Sequence, residues 1–486
     1  MLGLLAFLFI FATIAEGLRS GPSAEDVVYP RLLEARGING EKLLHINDQL
    51  SLRLEKSSVI AEKLVVSSLN GAGQVDSIVD GKEVEKNIYH DTNQMAAVTV
   101  SEQNGTVQVT GALGRTLRIA PLPLLGKCEA GCGAHKIFEI EEPEEYKTDY
   151  IFPMKRNIFE KRQTRLPAEI PSVFHVEVAM VFDQHHKEHF KTKESLLHYA
   201  AVTVQLVNMR YDVTSDPKVQ FVLVAVIDLT GEDTITRTLM AQDELKPPGY
   251  TKRYTIYGET LANLAKAVNL GMINVTADLV TLVTSTDLAD VQRGTLFTHV
   301  AAAAYLGGLC SNFRVAETED MPHTYSMVGL LAHEWGHSLG MVHDGNRSVY
   351  STPAYKYVVC DPREGYIMAP VANGARNGQW SKCSLAHLQG FVRTLDQACF
   401  DVTSQRRYRI NMTELPGAKI TKKQLCREAF PDFDVNLSCP QKTIRHRECQ
   451  TVCCSQRFNM CWRRSLVDGM ECKGGHHCVK HRCVKK

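Results

Sequence analysis

The sequence predicts an α/β domain set between a β-rich N-terminal region and a small disulfide-rich C-terminal module. Three observations lead there. Runs rich in β-branched residues alternate with helical patterns between residues 176 and 306, as expected for strands and helices packed in layers. Residues 18–165 mix charged stretches with short strand-like runs such as Met95–Val100 and Thr106–Val109. Nine of the 15 cysteines crowd between Cys426 and Cys483, where strand and helix signals fade. The 486 residues allow about two to four domains. With 44% apolar and 22% charged residues the chain is neither disordered throughout nor collagen-like. Lys and Arg number 55 against 54 Asp and Glu, which argues against a general polyanion binder such as a nucleic-acid protein.

Taken in order, the chain opens with a 13-residue apolar run, Leu2–Ile14, followed by Ala15-Glu16-Gly17. This is the length of a signal-peptide core with small residues before the cut, and it is too short to span a bilayer. A signal peptide is therefore expected at 1–17, and with it an oxidising, secretory destination in which clustered cysteines pair. No later run is long and apolar enough to predict a membrane span. Five Asn-x-Ser/Thr sequons, at Asn104, Asn274, Asn346, Asn411 and Asn436, are glycosylation candidates.

Basic clusters stand at Met154-Lys155-Arg156 and Lys161–Arg165, the second with the Arg-x-x-Arg form cut by processing proteases (Arg162–Arg165), and a new strand pattern starts soon after. Cleavage after Arg165 would make 18–165 a removable prodomain. Beyond it the sequence predicts a strand at Val176–Phe182, a helix over Glu194–Met209 and a strand at Val219–Val226. A helix over Leu261–Val268, a strand at Leu279–Val283 and a fourth strand within Phe297–Leu306 follow. The domain is expected to fill 166–400, a linker 401–425, and the cysteine-rich module 426–486.

Chemistry concentrates at residues 333–344, His-Glu-Trp-Gly-His-Ser-Leu-Gly-Met-Val-His-Asp. On a helix, His333 and His337 share one face about 6 Å apart and can grip one zinc ion. Gly340 lets the chain leave the helix with positive φ, so that His343 returns as third ligand. Three histidines leave a fourth position for water, the mark of a catalytic zinc rather than a structural one. Such a zinc lowers the pKa of water to about 7. Glu334, next to His333, is placed to act as general base and then to protonate the leaving amine. Thr324 or Ser326 is a suitable N-cap for this helix. Downstream lies Gly365-Tyr366-Ile367-Met368-Ala369-Pro370.

The three histidines, the glutamate, Gly340 and the later methionine together resemble the metzincin zinc proteases. The resemblance implies that Met368 packs beneath the site. Asp344 after the third histidine narrows the resemblance to the adamalysin or reprolysin branch, with its venom, ADAM and ADAMTS enzymes. The resemblance covers about 176–400 and implies a mixed, mostly parallel sheet with an antiparallel edge strand and a long active-site helix. Ala304–Cys310 looks like that family's substrate-binding edge strand, whose unpaired N–H and C=O groups hold an extended peptide. Trp380–Ser384 resembles the segment after the methionine turn, and the loop around Ala369-Pro370 would shape the pocket for the substrate side chain. By the same resemblance Cys310 pairs with Cys399 and Cys360 with Cys383. It also implies a structural calcium site with Glu177 and Asp278 as acidic ligands. Asp401 adjoins Val402, which stands where the family has Asn, and joins them as the third candidate ligand.

The module at 426–486, with Asp468–Cys472 and Cys478–Cys483, resembles the disintegrin-like module of ADAMTS enzymes, which carries eight cysteines. The ninth here points to a free or intermolecular thiol at Cys453 or Cys454. Residues 421–486 hold 14 Lys and Arg against 6 Asp and Glu, a surplus of eight, which suits acidic glycans or extracellular matrix. The short architecture resembles the salivary metalloproteases of ticks and implies cleavage of matrix or clotting proteins. In the prodomain, Cys128 or Cys132 could give a thiolate to the zinc and keep the enzyme latent, or the two could close a small disulfide loop. The competing reading is a binding protein whose cysteine-rich module blocks a host receptor or matrix ligand.

Overall fold

The computed structural model describes residues 26–34, 42–103, 106–122, 133–140, 148–152, 169–230, 235–242, 249–370, 376–402 and 421–429. In the C-terminal module it describes 435–437, 449–455, 457, 460–466, 470–479 and 482–485. The signal segment 1–17, Cys128, Cys132, Arg165, Asn104, Asn411 and Cys439 lie outside the described residues.

One eight-stranded sheet carries the site. In chain order its strands are β1 (Ile60–Asn70), β2 (Gly73–Asp80), β3 (Thr148–Phe152), β4 (Val173–Phe182), β5 (Lys218–Leu229), β6 (Leu279–Thr284), β7 (Val300–Tyr305) and β8 (Val315–Glu319). Their spatial order is β3-β7-β8-β6-β4-β5-β1-β2. Strands β4, β5, β6 and β8 run parallel, and β7 is antiparallel to β8. Strand β4 shows why the sheet is central. Phe174, Val176, Val178, Met180 and Phe182 enter one hydrophobic core, and Ala179 and Val181 enter another. Alternate side chains thus bury on opposite faces, as in a sheet covered on both sides.

Helices α1 (Lys193–Tyr211) and α3 (Met327–Ser338) line the first core, and α2 (Tyr257–Asn269) the second. Helix α4 (Lys382–Val392) packs Leu388, Phe391 and Val392 into the first. Helix α1 begins in a capping box between Thr192 and Ser195. The remaining described N-terminal strands form a nine-stranded antiparallel sheet with its own core around Leu44, Leu52, Val98 and Val109. No helix among the described residues is long and apolar enough to cross a membrane.

The structure departs from the sequence reading in two places, the edge of the sheet and the cysteine doublet. The antiparallel strand expected at the sheet edge, β7, is covered by β3, which pairs with it in parallel. Its free N–H and C=O groups are therefore used within the chain. From the 18–165 region, β1 pairs in parallel with β5 at the far side of the same sheet. In the C-terminal module, Cys453 bonds Cys426 and Cys454 bonds Cys461, so neither member of the doublet is a free or intermolecular thiol. Cys449–Cys478 and Cys472–Cys483 complete the described bridges of this module. Cys310–Cys399 and Cys360–Cys383 are bonded in the α/β domain.

Candidate zinc centre

Helix α3 positions the site, and Asp320 holds the start of that helix. One Asp320 oxygen accepts from the Ser326 hydroxyl at 2.9 Å and the Met327 backbone N–H at 3.1 Å. The other takes His186 Nε2 at 2.8 Å and the Tyr199 hydroxyl at 2.7 Å. A carboxylate at a helix N-terminus satisfies orphan N–H groups and complements the dipole. Further along, the Tyr211 hydroxyl donates to the Ala332 carbonyl at 2.8 Å and Trp335 Nε1 donates to Thr281 Oγ1 at 3.0 Å. The helix is thus fixed to α1 and to the sheet from both sides.

Beyond Ser338 the chain turns at Gly340, with φ of 81°, and brings His343 back. The three imidazole centroids form a triangle with sides of 4.6, 5.2 and 4.9 Å. His333 Nδ1 donates to the Ile367 carbonyl at 2.6 Å and His337 Nδ1 to the Met341 carbonyl at 2.7 Å. Both Nε2 lone pairs are thereby turned inward, the arrangement that orients metal-binding histidines. His333 Nε2 and His343 Nε2 stand 3.1 Å apart. Two lone pairs at that spacing suit zinc, whose bonds of about 2.0–2.1 Å put tetrahedral nitrogens roughly 3.3 Å apart. The donor set therefore fits the metal.

Met368 is fully buried beneath the histidines, and its carbonyl accepts from the Asp344 N–H at 2.8 Å. A β-carbon on Gly336 would lie 2.9 Å from the Met368 sulfur, so helix and turn meet closely because residue 336 is glycine. Glu334 is buried, and neither carboxylate oxygen has a hydrogen-bond partner among the described residues. Burial first, then the negative charge of Asp149, push its pKa well above the carboxylate range. Beside it opens a pocket lined by Leu330, Ile367, Ala369 and Pro370, with Arg210 and Asn377 in its wall.

A fourth group stands at the histidines. Asp149, on β3, places Oδ1 2.8 Å from His343 Nε2 and Oδ2 2.9 Å from His337 Nε2 and 3.5 Å from His333 Nε2. The sequence reading missed this residue. The one local signal is Tyr150-Ile151-Phe152, a strand-prone triplet shortly before the basic clusters.

The other expected residues sit apart. Asp278 Oδ2 accepts the Glu177 backbone N–H at 2.8 Å, and burial raises its pKa to about 7. The metal-binding types gathered there are Asp278 with the sulfurs of Cys310 and Cys399, both used in their disulfide; Glu177 and the exposed Asp401 are not in that group. Asn274 and Asn346 are exposed and Asn436 is half-buried.

Two histidines on a helix and a third beyond its exit turn, packed with a buried methionine turn in an α/β domain, define a zinc metalloendopeptidase. Residues 175–381 match the family model Reprolysin_5, metallo-peptidase family M12. The chain is similar to venom metalloproteinase BumaMPs1 of Olivierus martensii, with 26% identity over 71% of this chain and 84% of the relative. Venom metalloproteinase antarease TserMP_A of Tityus serrulatus is 25% identical over 79% of this chain and 94% of its own. A protein of Bombyx mori described as "a disintegrin and metalloproteinase with thrombospondin motifs like" is 22% identical over 97% of this chain and 75% of its own. Among solved structures, archaemetzincin from Methanopyrus kandleri aligns at 15% identity with a TM-score of 0.27, over 45% of this chain and 96% of its own.

Proposed function

We propose that this chain is a secreted zinc endopeptidase, made as a latent precursor, that cuts extracellular proteins of the matrix or clotting type. The observation that carries this reading is the convergence of His333, His337 and His343 beside the buried Glu334. The three imidazoles would hold zinc, which when bound supplies a Lewis acid for the scissile carbonyl and for a water molecule. Glu334 takes the proton of the attacking water and returns it to the leaving amine. With no hydrogen-bond partner among the described residues, its carboxylate is available for that exchange. In the processed enzyme the outer edge of β7 offers N–H and C=O groups to an extended peptide. The pocket of Leu330, Ile367, Ala369 and Pro370 receives one apolar side chain of that peptide.

Secretion is supported by the apolar run Leu2–Ile14, by the intrachain disulfides and by relatives described as venom metalloproteinases. The same proposal includes removal of 18–165 by cleavage after Arg165, glycosylation at the sequons, and acidic glycans or matrix as partners of the basic 426–486 module. It also includes calcium bound by Asp278 with Glu177 and Asp401.

The test is Glu334→Ala in the secreted, processed protein. Zinc content should stay at one per chain while cleavage of a quenched peptide falls by about a hundredfold or more. Unchanged cleavage would remove Glu334 from the mechanism. If the variant still blocks a target as well as the parent does, binding rather than hydrolysis is the function.

A further inference from the structure

The Thr148–Phe152 strand lies where a peptide substrate would lie. Asp149, Tyr150, Ile151 and Phe152 pair in parallel with Ala302, Ala303, Ala304 and Tyr305 of β7, and the Leu306 N–H donates to the Phe152 carbonyl at 3.0 Å. Aromatic contacts hold it there. Tyr150 lies 5.6 Å from Tyr257, and Phe152 lies 5.2 Å from Tyr305 between ring centroids. Phe152 also packs against the core beneath α2.

This placement delivers the Asp149 carboxylate, 6% exposed, into the centre of the three imidazoles. His333 and His337 already give their Nδ1 protons to backbone carbonyls, so their Nε2 lone pairs face the carboxylate. Acceptors brought to 2.9 Å repel one another unless they share a cation. Three nitrogens and one carboxylate oxygen make a complete tetrahedral zinc set.

We propose that Asp149 is the fourth zinc ligand in the uncut chain, and that β3 fills the peptide groove as an internal occupant. This rests on the zinc-peptidase reading and adds the group that closes the site. A carboxylate, rather than a thiolate from Cys128 or Cys132, then keeps water and substrate out. The strand lies N-terminal to Arg165, so cleavage there places Asp149 on the released segment.

The experiment uses the intact full-length chain, loaded with zinc, as parent, Asp149→Ala and Asp149→Asn, each also combined with Glu334→Ala to prevent self-cleavage. The probe is a small peptide hydroxamate, which needs an open zinc position. Zinc stoichiometry and thermal unfolding are recorded for every chain. The parent should hold one zinc and bind the hydroxamate weakly. Both Asp149 variants should hold one zinc, unfold cooperatively and bind it about a hundredfold more tightly. Both should also lose zinc faster to a chromophoric chelator. Equal hydroxamate binding by parent and variants, with zinc present, would overturn the proposal. So would opening of the site by Cys128→Ala or Cys132→Ala while the Asp149 variants stay closed. Absence of zinc from the folded parent and variants alike would instead overturn the zinc reading beneath it.

Discussion

Gly340 packs so closely on Phe391 that a β-carbon at position 340 would stand 2.7 Å from both Cβ and Cγ of that side chain. The φ of 81° adds a second reason for glycine. Gly340→Ala should therefore cost about 2–4 kcal/mol in urea unfolding, from strain plus overpacking. Because His343 follows the turn, the folded fraction should also bind zinc more weakly. An unshifted unfolding midpoint would contradict this account of the turn.

The same helix supplies an opposite case. Gly329 lies within α3, and a β-carbon there meets nothing within 4 Å. Gly329→Ala should raise stability by up to about 1 kcal/mol through helix propensity alone. Thermal unfolding of the two glycine variants side by side is the measurement; a loss at 329 would show that its pocket wall is tighter than the geometry indicates.

Asp320→Ala should be among the most damaging single changes. It strips partners from His186, the Tyr199 hydroxyl, the Ser326 hydroxyl and the Met327 N–H together. Each buried group left unsatisfied costs about 1–3 kcal/mol, so a loss above about 3 kcal/mol is expected. Asp320→Asn keeps the acceptor for Met327 and should lose less. Equal losses for the two would mean that the charge matters more than the cap.

Glu317 on β8 is fully buried, and neither of its oxygens has a hydrogen-bond partner among the described residues. Burial raises its pKa well above the ordinary 4.5. The folded state then keeps a proton that the unfolded chain releases above about pH 4.5. This group's contribution to stability therefore falls as pH rises, by at most about 1.4 kcal/mol per pH unit. Glu317→Gln mimics the protonated acid. It should match the parent near pH 4 and gain on it steadily toward pH 8 in urea titrations. Parallel curves for the two proteins would sink the assignment.

Removing the metal from the processed enzyme with a strong chelator should abolish peptide cleavage and lower the unfolding temperature, since a ligand that binds only the folded state stabilises it. Stoichiometric zinc should restore both. Magnesium, which prefers oxygen donors, should restore neither.

The parts of this site that the sequence makes legible are those joined by short spacings. His333, Glu334, His337, Gly340 and His343 sit within one helix and its exit turn, where 3.6 residues per turn dictates who faces whom. Met368 could be placed only through resemblance, yet it lies directly beneath them. Asp149 escaped because it meets His337 across 188 residues. That meeting depends on which strand fills the edge of β7, and no local pattern encodes it. Strand β8 escaped too, because Val-Ala-Glu-Thr-Glu reads as half polar although Glu317 is buried. The bonds of Cys453 and Cys454 show the limit of counting. An odd total says that one cysteine differs, and only the hairpin register, with Cys454 opposite Cys461, says which ones do not.

The two flanks of the sheet that bears the site, β3 on one side and β1 with β2 on the other, both come from the stretch proposed for removal. A scaffold that contributes hydrogen-bonded neighbours during assembly and then departs acts as a mould for the remaining strands. Val65 pairs with Ala225, a partner far along the chain, and such distant pairings form slowly. The mature enzyme would then be a shape it could regain only sluggishly once unfolded, persisting through a high barrier to unfolding rather than through ready renaturation.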